Sequence, residues 1–253
     1  MATDIARRQR THLRGLTIVD MKNLSEAASS CEGAAYAVYE FRRIELAHFR
    51  RKRVRASFSD ACLRSGLDFD LRAMQGETID VLATEARYHD LLLAAIATDA
   101  HAGPGEWTPA GIVDLALRAT SPVLALRADN HAHGRVLMVD DGTQAAGQAI
   151  SSFLNQRIFT KATIRLLAVQ SSESEAKALM RQSVDYVGSR IDGFETGFVV
   201  GCSEKIVPAF ASGWEADLVV LGAQRRSLVR NLLFGETVRN ILGKAACSLY
   251  LSR

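Results

Sequence analysis

The constraint that dominates this chain is an internal repeat. Residues 74–97, M-Q-G-E-T-I-D-V-L-A-T-E-A-R-Y-H-D-L-L-L-A-A-I-A, lie over residues 199–223, V-V-G-C-S-E-K-I-V-P-A-F-A-S-G-W-E-A-D-L-V-V-L-G-A, with one slip. Each stretch reads strand, glycine, acidic helix start, apolar helix, aspartate, buried strand. Asp90-Leu-Leu-Leu stands against Asp217-Leu-Val-Val, 127 residues on. The helix and strand that end at Arg127 stand against those that end at Arg253, 126 residues on. Self-similarity at that distance means two copies of one α/β unit. The length of 253 residues suits two domains, each able to bury a core. The expected division is a first domain 1–127, a polar linker 128–133 (A-D-N-H-A-H) and a second domain 134–253.

The second copy is complete. Strands are expected at 135–139, 163–169, 194–200, 218–221 and 248–251. Helices are expected at 143–154 with Thr143 as N-cap, at 173–189, from a cap at Ser203, and at 236–245. Continuous apolar strands alternating with helices predict a parallel sheet covered on both faces, wound right-handedly in both directions. The first copy is damaged. Its earliest strand, 14–19, matches the second strand of copy two, and only what reads as the tail of a helix, 3–11, precedes it. Either the start lies upstream of Met1, or this half lacks its first, central strand. The fold expected is therefore two tandem doubly wound α/β units with five-stranded parallel sheets, the first short of one strand.

A net charge of +3 is too mild to demand nucleic acid. Four scattered cysteines without a C-x-x-C pair read as reduced, mostly buried thiols. The N-terminal residues have no apolar core, so no signal peptide is expected. No apolar run reaches the length of a membrane span. The location expected is cytoplasmic.

Three segments of the second copy carry a family resemblance: V-D-D-G-T (139–143), G-C-S-E (201–204) and G-A-Q-R-R-S-L-V-R-N-L-L-F-G-E-T-V-R-N-I-L (222–242). Together they resemble the universal stress protein family, and the whole chain resembles its tandem members. The resemblance covers 134–253 well and 12–127 more weakly. It implies a five-stranded parallel sheet per copy. It also implies a division into nucleotide binders and non-binders. Binders carry G-x-x-G, nine further residues, then Gly followed by Ser or Thr, and an aspartate at the end of the first strand. On that pattern Gly222 and Gly235 keep their places and Asp141 matches the aspartate. Arg225 replaces the second glycine. Glu236 replaces the hydroxyl residue, with Thr237 one place late. Val169, at the end of the second strand, completes this degenerate cofactor site.

Such departures oppose a phosphate. A non-glycine residue in a left-handed turn costs about 1–2 kcal/mol. A carboxylate about 4 Å from a phosphate oxygen costs about 4 kcal/mol at an effective dielectric of 20. A charged hydrogen bond from one amide returns only about 1.5–3 kcal/mol. Glu236 also has a structural role open to it, in the first turn of a helix. Arg225, Arg226 and Arg230 can be a solvated basic loop, or forks that hold an anion by another route.

The remaining features are ambiguous or silent. Residues 42–55, R-R-I-E-L-A-H-F-R-R-K-R-V-R, are half basic and lie in a helical stretch from about 34 to 63. They suit a polyanion, or the solvated face of a helix with Ile44, Leu46 and Phe49 among its apolar positions. His131 and His133 read as polar linker, and Cys202 as an idle thiol. No nucleophile elbow, zinc-binding helix or P-loop is present, and residues 134–253 contain no histidine. No catalytic and no metal-binding residues are expected.

The resulting expectation is a non-enzymatic stress protein that works through protein interaction and holds no cofactor. The alternative is an ATP or AMP binder, with Mg, of at most slow ATPase activity. The family resemblance implies an intramolecular pseudo-dimer through strands 122–126 and 248–251. A homodimer and an unidentified protein partner are compatible with it. No nucleic acid and no membrane are expected as partners.

Overall fold

The computed structural model describes residues 1–19, 34–96, 107–127, 134–224, 237–242 and 247–253. The expected linker 128–133 lies outside them. By packing, the chain divides into two compact units, Met1–Leu82 and Ala83–Arg253.

The first unit holds α1 (Ala2–Gln9), β1 (Leu13–Val19), α2 (Ala34–Arg64) and β2 (Phe69–Gln75). Strands β1 and β2 form a two-stranded parallel sheet, from Leu13 opposite Phe69 to Val19 opposite Gln75. Helix α2 closes on it through Phe58, which meets Phe69 edge-on at 5.9 Å, and through buried Cys62. At the strand starts, His12 places Nδ1 3.0 Å from Asp68 and Nε2 3.1 Å from Asp70. Two carboxylate acceptors favour two N–H donors, so the Asp70 and Asp68 hydrogen bonds raise the pKa of this ring above its ordinary value.

Helix α3 (Thr78–Glu85) leads into β3 (Leu92–Ile96), α4 (Pro109–Arg118), β4 (Val123–Arg127), β5 (Arg135–Asp140), α5 (Gln144–Gln156) and β6 (Thr163–Gln170). Then come α6 (Glu173–Gly188), β7 (Glu195–Val200), α7 (Ser203–Gly213), β8 (Leu218–Gly222) and β9 (Ser248–Ser252). Residues 237–242 are helical. Most of β5, β8 and β9 is fully buried, as apolar strands covered on both faces must be.

The strand order in this unit is β3-β4-β9-β8-β5-β6-β7. The five strands of copy two run parallel in the order β7-β6-β5-β8-β9, a doubly wound sheet with its first strand in the centre. Among the described residues, copy one does not gather its strands into one sheet. Its strands fall into two parallel pairs, β1-β2 and β3-β4. In copy two the joining is done by β5, which pairs β6 on one side and β8 on the other. No strand among the described residues does this for copy one. The β3-β4 pair instead extends the sheet of copy two, with β4 antiparallel to β9 and Leu124 opposite Tyr250. Arg127 fastens the junction: its backbone N–H donates to Ser248 Oγ and its guanidinium to the Leu242 carbonyl, at 3.3 and 2.8 Å.

The repeated aspartates differ in the same way. Asp217 Oδ2 accepts the N–H groups of Gly134 and Arg135 at 2.8 and 2.9 Å, which pins the start of the central strand β5. Its counterpart Asp90 is exposed, and its carbonyl accepts from Gln156.

Candidate functional site

The order of strands reverses at β5, so the crevice of a doubly wound sheet opens at the carboxyl ends of β5 and β8. Asp140 ends β5, and Asp141-Gly142-Thr143 turns into α5. Gly142 takes φ +74°, a left-handed turn that glycine enters at no steric cost. Thr143 is the N-cap, its Oγ1 accepting from the Ala146 N–H at 3.0 Å.

The two aspartates have different surroundings. Asp141 Oδ1 accepts the Thr143 N–H at 3.1 Å, and the Asp141 carbonyl accepts from Gln170 Nε2 at 2.9 Å. Asp140 is only 7% exposed. Its Oδ1 accepts from the Gly142 N–H at 2.9 Å and its Oδ2 from Ser183 Oγ at 2.5 Å. Burial pushes this carboxyl above its ordinary value, while the Ser183 and Gly142 hydrogen bonds pull it back. Sequence reasoning singled out Asp141 and missed Asp140. The available signal was its position as the last residue of a buried apolar strand, where a carboxylate is enclosed. Its partner Ser183, on α6, carried no signal at all.

A raised pKa in the folded state means that Asp140 contributes stability below the ordinary carboxylate pKa and loses it as pH rises through the folded value. Asp140→Asn can keep the Gly142 contact through Oδ1 and donate from Nδ2 to Ser183. Its melting temperature at pH 7 is expected to equal or exceed the parent's, with a smaller difference between pH 4 and 7. Thermal melts at both pH values test this. A marked loss at pH 7 would show that the carboxylate itself is needed.

Gly222 ends β8 against the first turn of α5. A Cβ built there lies 2.3 Å from the Ala146 nitrogen and 2.4 Å from the Ala145 carbonyl carbon. The glycine that the spacing assigned to a phosphate loop is thus required by strand–helix packing. Val169 is buried in β6, and Thr237 is buried at the start of the helical residues 237–242. Arg225, Gly235 and Glu236, with Arg226 and Arg230, lie outside the described residues. The structure therefore gathers Asp141 and Gly222 at the α5 N-terminus and places Val169 in the neighbouring strand.

One expectation is corrected. Cys202, not Ser203, is the N-cap of α7, and it makes no side-chain capping bond. Gly201 at φ +139° ends β7 and turns the chain early enough for Ser203 to be the first helical residue. Cys202 is exposed, whereas Cys62 and Cys247 are buried.

A parallel sheet whose order reverses at β5, with a capped helix following that strand, defines a doubly wound α/β protein. Within that class, residues 169–253 match the sequence model of the Universal stress protein family. No curated protein matches the chain. Among solved structures, a universal stress protein from Archaeoglobus fulgidus DSM 4304 superposes with a TM-score of 0.69 at 12% identity, covering 99% of this chain and 91% of that one. A putative universal stress protein from Pseudomonas aeruginosa UCBPP-PA14 gives 0.60 at 13% identity, covering 97% of this chain and 94% of that one. These likenesses are of fold, and they run the length of both copies. The match over residues 169–253 agrees with the resemblance drawn from the motifs.

Proposed function

We propose that this chain is a tandem universal stress protein that acts through protein interaction in the cytoplasm, without nucleotide and without catalysis. The observation that carries the reading is Gly222: its retained place in the loop is accounted for by the backbone of Ala145 and Ala146, with no ligand required. Two further features agree with it. Asp141 Oδ1 is engaged by the turn that starts α5, and Gln170 Nε2 lies 2.5 Å from where a Gly142 side chain would stand, so that corner of the crevice is filled from within. Arg225 and Glu236 oppose a phosphate on size and charge. The β4–β9 ladder is read as an internal pseudo-dimer contact, which leaves the interaction surfaces elsewhere.

The test is direct. Protein purified without added nucleotide is denatured, and the supernatant is analysed for ATP, ADP and AMP. The expected result is none, with no binding at millimolar ATP and Mg. Near-stoichiometric nucleotide would establish the ATP-binding alternative instead. The double variant Arg225→Gly, Glu236→Ser is expected to gain ATP affinity. Removing the carboxylate alone relieves about 4 kcal/mol of repulsion at 4 Å and a dielectric of 20, an upper bound of roughly a thousandfold. No gain would mean that the loop is not the reason for the missing site.

A further inference from the structure

Helix α2 carries a surface that the sheet does not use. Its C-terminal end is anchored by Phe58 and Cys62. Just ahead of that anchor, the six consecutive residues Lys52, Arg53, Val54, Arg55, Ala56 and Ser57 are all exposed. At 3.6 residues per turn, six residues point in every direction around the axis, so no face of this stretch is packed. Phe49, expected at an apolar core position, is 62% exposed, and Val54 is 58% exposed. The described basic side chains are solvated as expected, but Phe49 is not a covered apolar position, and Ile44 and Leu46 lie outside the described side chains.

The same stretch is the most basic part of the chain. Residues 49–57, F-R-R-K-R-V-R-A-S, hold five basic residues and no acid. The next acid along the helix, Asp60, is engaged by Arg64. Arg51, Lys52, Arg53 and Arg55 make no ion pair among the described residues. Four or more uncompensated cations within about two turns call for a polyanion.

The distribution of charge selects among polyanions. A bilayer surface meets one side of a helix and needs an apolar stripe on that side. Here Phe49 and Val54 are five positions apart, about 140° around the axis, and cations stand between and beyond them. A helix about 10–12 Å across fits the major groove of B-form DNA, about 12 Å wide, with phosphates on both flanks. The deep, narrow major groove of A-form RNA does not admit one. We propose that residues 49–57 of α2 bind double-stranded DNA through its phosphates, without sequence preference.

The experiment is fluorescence anisotropy of a short labelled DNA duplex of arbitrary sequence with the full chain, between 50 and 200 mM salt. Four phosphate contacts predict a slope of log K against log salt of about −3.6, a loss of affinity of about a hundredfold over that range. The quadruple variant R51Q/K52Q/R53Q/R55Q changes only exposed or half-exposed side chains and is expected to keep its far-UV circular dichroism. Its affinity at 50 mM salt should fall by at least a hundredfold. If that variant does not fold, the double charge reversal Lys52→Glu, Arg53→Glu replaces it, with the same expected loss. Absence of duplex binding at 50 mM salt would overturn the proposal. So would equal binding by the folded variants, or binding to phosphatidylserine vesicles or duplex RNA in preference to DNA.

Discussion

Gly222→Ala is expected to lower the melting temperature by about 6–12 °C. The added methyl group has nowhere to go. It would stand 2.3, 2.4 and 2.8 Å from the Ala146 nitrogen and the Ala145 carbonyl carbon and oxygen. These are backbone atoms, so no rotamer change relieves the clash. The first turn of α5 is itself held by the Thr143 cap and cannot retreat without losing that hydrogen bond. Overpacking against such a wall costs about 3 kcal/mol. In a chain of this size each kcal/mol moves the midpoint by about 2–4 °C. Gly147→Ala is the control, because an added Cβ there meets nothing within 4 Å. In mid-helix it should raise stability by about 0.5–1 kcal/mol. Differential scanning calorimetry of the two variants beside the parent decides the matter. If Gly222→Ala melts within about 2 °C of the parent, the glycine is not kept for packing and a ligand regains its claim on it.

Tyr250→Ala should cost still more, about 4 kcal/mol. Tyr250 is fully buried in β9 and meets Phe153 of α5 edge-on at 5.3 Å. Its hydroxyl lies 2.9 Å from Ser152 Oγ and donates to Gln156 Oε1 at 3.0 Å. Truncation leaves a cavity where β9 runs between β8 and β4, with Val220 on one side and Leu124 on the other. The midpoint should fall by about 8–16 °C. Tyr250→Phe keeps the ring and loses only the hydroxyl contacts, which costs about 1 kcal/mol. A ratio of about four between the two losses, in urea titrations at constant slope, is the expected signature of a packing role. Equal losses would mean that the hydroxyl network, rather than the ring, holds the junction.

Much of the molecule is written locally. The strand starting at Arg135 and the helix capped by Thr143 appear where periodicity and a hydroxyl before an apolar run place them. These features depend on neighbours a few residues away. The alternation of continuous apolar strands with helices, and the match of Asp90 to Asp217, were enough for a doubly wound α/β chain in two copies. The motifs of 139–143, 201–204 and 222–242 were enough for the universal stress protein family, which residues 169–253 match.

The candidate site was legible by position and not by role. Spacing singled out Gly222, but a sequence does not show that the backbone of α5, more than seventy residues earlier, presses against it. V-D-D-G-T offered two carboxylates. Which of them is enclosed depends on Ser183 arriving from α6, a contact 43 residues away. Phe49 followed an apolar period into a helix, and only the packed structure shows that it is mostly exposed.

The sequence alone determined the repeat and the order of strands and helices, because each is a matter of pattern along the chain. The tertiary structure decided how the described strands of copy one pair. A parallel strand needs a hydrogen-bonding neighbour on each side unless it lies at an edge. With no strand among the described residues to join them, the two pairs of copy one lie in different sheets, and β4 takes β9 as its second neighbour. That choice rests on contacts across more than a hundred residues, which no local pattern records.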